Sequence, residues 1–150
     1  MSDNHDLSKL DDLIITLIDS VKGYEHSAEK AEAARYQGFF QEMAQDRRTA
    51  VARLQEASRA EGGTPADYGS AAGTVHRRFE DLRLALGGGD ETIIKEVERG
   101  EDYLKEEFER VLNDERMSPA AMAAVRQAYE SVRRGHDEAS GLKHRLEAAD

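Results

Sequence analysis

Cysteine is absent from this 150-residue chain, and with it go disulfides, thiolate metal sites and cysteine nucleophiles. The absence fits a reducing compartment and leaves any redox chemistry to a metal or another cofactor. Long apolar runs are missing too. No stretch approaches the roughly 20 residues of a membrane span, and Met1 to Leu10 is acidic and polar with no apolar signal core. A cytoplasmic location away from the membrane is expected. Basic charge is short as well: 21 lysines and arginines stand against 31 aspartates and glutamates, a formal net charge of −10. Such a surface repels phosphate backbones and anionic lipid, which sets nucleic acid and membrane aside as partners.

Only two prolines occur, and what is plentiful is the Ala, Leu, Glu, Lys and Arg of long amphipathic helices, with 35% of residues charged and 39% hydrophobic. The length suits one domain over residues 1–150 with one continuous core. Residues 1–6 are expected to be a disordered tail, with Asp6 capping the first helix. Leu10, Ile14, Leu17, Val21, Tyr24 and Ala28 then recur in steps of four and three, the spacing of a core-facing helix. A second register runs Tyr36, Phe40, Met43, position 47, Ala50 and Leu54, after a turn between Ala31 and Tyr36. Glu61-Gly62-Gly63-Thr64-Pro65 closes it with the expected glycine stop.

Residues 62–89 form a crossover segment, with a shorter helix predicted from Ser70 through Leu86. Gly87-Gly88-Gly89 then breaks the chain as a flexible joint; a phosphate-binding loop would need a preceding strand. Asp90 is the expected cap of a helix carrying Ile94, Val97, position 101, Leu104 and Phe108. Ser118-Pro119 starts the last helix, whose register is Met122, Val125, Tyr129, Val132, position 136 and Ala139.

Each of the last three registers therefore carries one polar residue near mid-helix: Arg47, Glu101 and His136, while Glu25 lies at the edge of the first. In an antiparallel bundle, mid-helix residues share a level, so these four are expected to converge on one layer. One reading is a satisfied structural network, with the Arg47 guanidinium forked onto Glu101 or Glu25 and His136 donating to the remaining carboxylate oxygen. The other is a metal site with Glu25, Glu101 and His136 as ligands, a set suited to iron, manganese or zinc. Bundles with two metal ions use a Glu-x-x-His pair on each of two helices, and no histidine here has a glutamate three residues before it. Tyr24, Tyr36, Tyr103 and Tyr129 are expected to pack in seams or at their rims.

Gly23-Tyr24, Ala44-Gln45-Asp46-Arg47, Gly62-Gly63-Thr64-Pro65, His76-Arg77, Gly89-Asp90-Glu91, Glu98-Arg99-Gly100-Glu101-Asp102 and His136-Asp137 stand here in that order. Over nearly the whole chain they resemble a bacterial ferritin-like four-helix-bundle family of uncharacterised function. The resemblance implies an all-α ferritin-like bundle made of two antiparallel helical hairpins and a crossover. It also implies metal binding or a stress-related role. Self-association through a helix face, as a homo-oligomeric dimer, is a separate expectation. The expectation is thus a non-enzymatic or weakly metal-binding bundle, set against an iron- or manganese-dependent oxidase or peroxide-handling protein.

Overall fold

Leucines, isoleucines and alanines spaced at three and four do build helices. The computed structural model describes residues 2–69 and 89–149. These form α1 (Ser2–Lys30), α2 (Ala34–Ala60), α3 (Asp90–Leu112) and α4 (Pro119–Ala149), with no strand among the described residues. The short helix expected from Ser70 and the first two glycines of the triple run lie outside the described residues.

Helix ends follow local chemistry, with two exceptions. Gly62 takes φ 85°, a conformation costly for a residue with a Cβ. It lets the N–H groups of Gly62 and Gly63 return to the carbonyls of Arg59 and Ser58, both at 2.9 Å, which ends α2 as expected. Ser118 caps α4, its Oγ accepting the Ala121 N–H at 3.3 Å, with Pro119 as the first helical residue.

Asp6 and Asp90 cap something other than their own helices. Helix α1 starts at Ser2, so the expected tail is helical from that residue and Asp6 lies inside the helix. Its buried carboxylate accepts the N–H of Ser118, across 112 residues, at 3.0 Å. Asp90 is the first residue of α3, and its two oxygens accept the N–H groups of Glu32 and Ala33 at 2.7 and 3.0 Å. Each carboxylate satisfies orphan backbone donors of a distant turn, a partner that no local pattern announces.

These long-range pairs fix the helix directions. α1 ends where α3 begins, at Asp90, and begins where α3 ends, with His5 Nε2 2.6 Å from Asp114 Oδ2. α4 begins beside the start of α1 and the end of α2, where Ser118 Oγ donates to Glu61 Oε1 at 3.1 Å. Helices α1 and α4 therefore run one way, α2 and α3 the other. α1 packs on α2 and α3, and α4 packs on the same two, so neighbours are antiparallel. Because α2 and α3 are parallel, the end of α2 and the start of α3 lie at opposite ends of the fold, about 40 Å apart for 27 residues at 1.5 Å each. The described residues after α2 run along α1: the Ala66 N–H reaches Asp11 Oδ1 at 2.9 Å, and Gly69 lies against the Asp19 side chain.

The core comes in two parts. The larger gathers Leu10, Leu13, Ile14 and Leu17 with Leu54, Leu104, Phe108, Val125 and Val132 toward the Ser118 end. The smaller gathers Tyr24, Tyr36, Phe40, Met43, Ile93, Ile94 and Val97 toward the α1–α2 turn. A polar layer separates them.

Candidate functional site

Arg47 projects from α2 into that layer, between Met43 and Ala50 in the buried stripe, and is 0% exposed. Burying a guanidinium demands that its donors be used. It makes four hydrogen bonds: Nη2 to Glu101 Oε2 at 2.5 Å, Nη1 to Ser20 Oγ at 2.7 Å, Nε to Ser131 Oγ at 3.2 Å, and Nη2 to the Ser131 carbonyl at 3.4 Å. Its Cζ lies 5.5 Å from the centroid of the Tyr24 ring, a cation–π contact on the remaining side. Glu101, 2% exposed, takes the Tyr24 hydroxyl on its other oxygen at 2.7 Å. All four helices contribute: Ser20 and Tyr24, Arg47, Glu101, and Ser131.

Burial works against the Arg47 charge, but the Glu101 carboxylate outweighs it and holds the guanidinium above the usual arginine range. Burial pushes the Tyr24 phenol well up, and the adjacent Glu101 carboxylate pushes the same way. Arg47 therefore stays a cation and Tyr24 a neutral donor throughout the physiological range. The layer reaches the surface through Ser131, whose Oγ donates to Asp46 Oδ2 at 2.5 Å, with Arg134 Nη2 on Asp46 at 2.8 and 3.0 Å.

The fourth wall is a glycine. Gly135 is buried in the middle of α4, and a Cβ built there would stand 2.7 Å from Met43 Cε, 2.9 Å from Glu101 Oε2 and closer still to Arg47 Nη2. The absent side chain is the space the guanidinium occupies. Sequence reasoning missed it by stepping from Val132 to position 136, where the buried stripe of α4 runs Val125, Ala128, Val132, Gly135, Ala139. The available signal was a glycine inside a helix with no turn to explain it.

Of the four residues expected to converge, the structure brings Arg47 and Glu101 together and turns the other two outward. Glu25, its side chain 47% exposed, pairs with Arg48. His136, 22% exposed, sets Nε2 2.6 Å from Asp102 Oδ1. The level was right and the face was not, because each residue advances about 100° around a helix. The inner ring is Tyr24, Arg47, Glu101 and Gly135; the outer pairs, Glu25–Arg48 and Asp102–His136, are the next residue on each helix. Among the tyrosines, Tyr24 and Tyr36 are buried and Tyr129 donates to Glu109 at 2.8 Å, whereas Tyr103 is exposed.

Glu25, Glu101 and His136, the expected ligands, are not gathered around one point. Glu101 has one oxygen on a guanidinium and the other on a phenol, and the other two face away from it. Among the described residues no three histidine, aspartate or glutamate side chains are grouped to hold an ion.

Several surface carboxylates are held ionised. Burial raises Asp46, but hydrogen bonds from Ser131 and Arg134 hold it below the usual range. Asp114 is lowered chiefly by the Arg116 N–H, and Glu109 by the Tyr129 hydroxyl. A carboxylate lowered on folding stabilises above its unfolded value of about 3.9–4.3 and loses that contribution as pH falls through the folded value. Thermal melts should therefore show stability declining steeply below about pH 4, and Asp46→Asn should flatten part of that decline.

Among the described residues, four long helices closed by a buried ion pair shared among them make an all-α arrangement with a polar layer inside an apolar core. A family model described as a domain of unknown function (DUF2383) matches residues 6–114, from α1 through the end of α3, and the chain belongs to that family. No curated protein matches it. The match ends before α4, which brings Ser131 and Gly135 to the site. Among the described residues, no helix is long and apolar enough to cross a membrane.

Proposed function

We propose that this chain is a ferritin-like bundle of the non-enzymatic kind, in which the Arg47 guanidinium stands where a metal-holding relative would keep its ions. The helix directions support the ferritin-like frame: two antiparallel hairpins, with the end of α2 and the start of α3 at opposite ends of the fold. One observation carries the rest, the commitment of both Glu101 oxygens to Arg47 and Tyr24. A divalent cation there would displace a buried hydrogen-bonded charge pair and then face the same guanidinium. The layer's task on this reading is structural. It fixes the height of four helices against one another, since a slip of one residue would carry the polar groups into apolar surroundings. A stress-associated role rests on the resemblance to ferritin-like proteins.

The test is metal content and turnover. Protein expressed with supplemented iron, manganese or zinc and purified without chelator should hold none in stoichiometric amount, and should consume neither oxygen nor peroxide. One metal per chain, lost in Glu101→Gln while helicity is kept, would overturn the reading.

A further inference from the structure

Most charged groups on the outer side of α3 have a close partner within the chain. Asp102 meets His136 at 2.6 Å, Glu107 holds Arg110 at 2.6 Å, and Glu109 holds Lys105 at 3.1 Å. Between these pairs lie four residues that the fold leaves open. Tyr103 is 53% exposed, and with Tyr68 it makes up the large apolar side chains standing in water among the described residues. Gly100, one turn before it, is exposed, and a Cβ built there meets nothing within 4 Å, so the surface beside the ring is open down to the backbone. The Arg99 side chain is 75% exposed, and its carboxylate neighbour Glu96 stands off at 3.6 Å. Glu106 is exposed and has no cation partner among the described residues.

Each residue advances about 100° around a helix, which sets Arg99 and Glu106 on one flank of Tyr103, about 40° and 60° from it, and Gly100 about 60° away on the other flank. When two copies of a helix pack antiparallel about a twofold axis, each flank meets the same flank of its partner, and residues equally far before and after the axis lie opposite each other. An axis at the level of Asp102 therefore brings Arg99 of each copy to Glu106 of the other. It also lays each Tyr103 ring toward the open backbone at the other's Gly100. Every contact occurs twice. A parallel pairing would instead hold like charges at the same height. Tyrosine and arginine are the residues that protein interfaces favour, and a patch of this size suits a small, reversible contact.

We infer that the face of α3 carrying Arg99, Gly100, Tyr103 and Glu106 is a docking surface for a second copy of this chain, joined antiparallel through two Arg99–Glu106 ion pairs with the Tyr103 rings between them. The occupant follows from the charge pattern, which is complementary to itself when reversed. This conclusion is independent of the reading of the core layer.

Sedimentation velocity of the full chain from about 5 μM to about 1 mM covers the affinity range of such contacts. Over it the parent should pass from monomer to dimer. Arg99→Glu and Glu106→Arg each turn two attractive pairs into two repulsive ones, and each should weaken the dimer by about tenfold or more. Helicity should be unchanged in both, because the side chains are exposed. Mixed one to one, these two variants should recover the dimer, since one copy then presents glutamates at both positions and the other arginines. Tyr103→Ser should weaken the dimer by a similar factor, about tenfold. A parent that stays monomeric, a variant that dimerises as the parent does, or a mixture no better than its components overturns the inference.

Discussion

Arg47→Ala lowers the melting temperature by about 6–20 °C, the equivalent of roughly 3–5 kcal/mol for a chain of this size. The loss comes less from the bonds themselves than from what is left behind. Glu101 remains 2% exposed with a charge and no cation, while Ser20 and Ser131 lose the donor they faced. Circular dichroism melts at neutral pH measure it. The informative companion is Arg47→Met with Glu101→Leu, which removes both charges and fills the space with apolar atoms. It should regain more than half of the loss, since a buried ion pair costs much to desolvate and an apolar replacement of similar volume avoids that cost. If the double variant is as unstable as the single one, the polar layer does more than balance its own charges.

Gly135→Ala is the second large effect, and its sign runs against ordinary helix chemistry. In an open helix, replacing glycine by alanine gains about 0.5–1 kcal/mol. Gly100, exposed on α3 with nothing within 4 Å of an added Cβ, should show that gain. At position 135 the added methyl meets Arg47 Nη2, Met43 Cε and Glu101 Oε2. Met43 can swing aside, but the guanidinium is pinned by four bonds and cannot. The net result is a loss of about 1–3 kcal/mol from overpacking, read as a fall in the denaturant midpoint. Opposite signs at the two glycines support a guanidinium fixed against α4; a gain at both removes the close packing.

The helices and the level of the polar layer were legible because apolar spacing is redundant: each stripe repeats its signal over several turns, so an error at one position is corrected by the rest. Which of two adjacent polar residues faces inward carries no such redundancy. Glu25 and His136 each sit about 100° from a residue that looks less chemical, Tyr24 and Gly135, and a reading that searches for charges selects the wrong neighbour. Arg47 and Glu101 were placed correctly because the apolar residues on both sides left no other register. Asp6 and Asp90 were misread for a different reason. An aspartate near a helix start is a good cap by local rules, and only the tertiary arrangement shows that the backbone groups it serves belong to another segment.

The parallel course of α2 and α3 has a consequence for how the chain reaches this state. α1 with α2, and α3 with α4, can each pair through a short turn. The hydrogen bonds between the two halves, however, run among the described residues from 54 residues apart at Arg47–Glu101 to 112 at Asp6–Ser118. Closing such loops costs entropy before any contact rewards it, and the mean sequence separation of contacts is what slows folding. Assembly should therefore be slower than for an up-and-down arrangement of the same four helices, with docking of preformed hairpins as the limiting event.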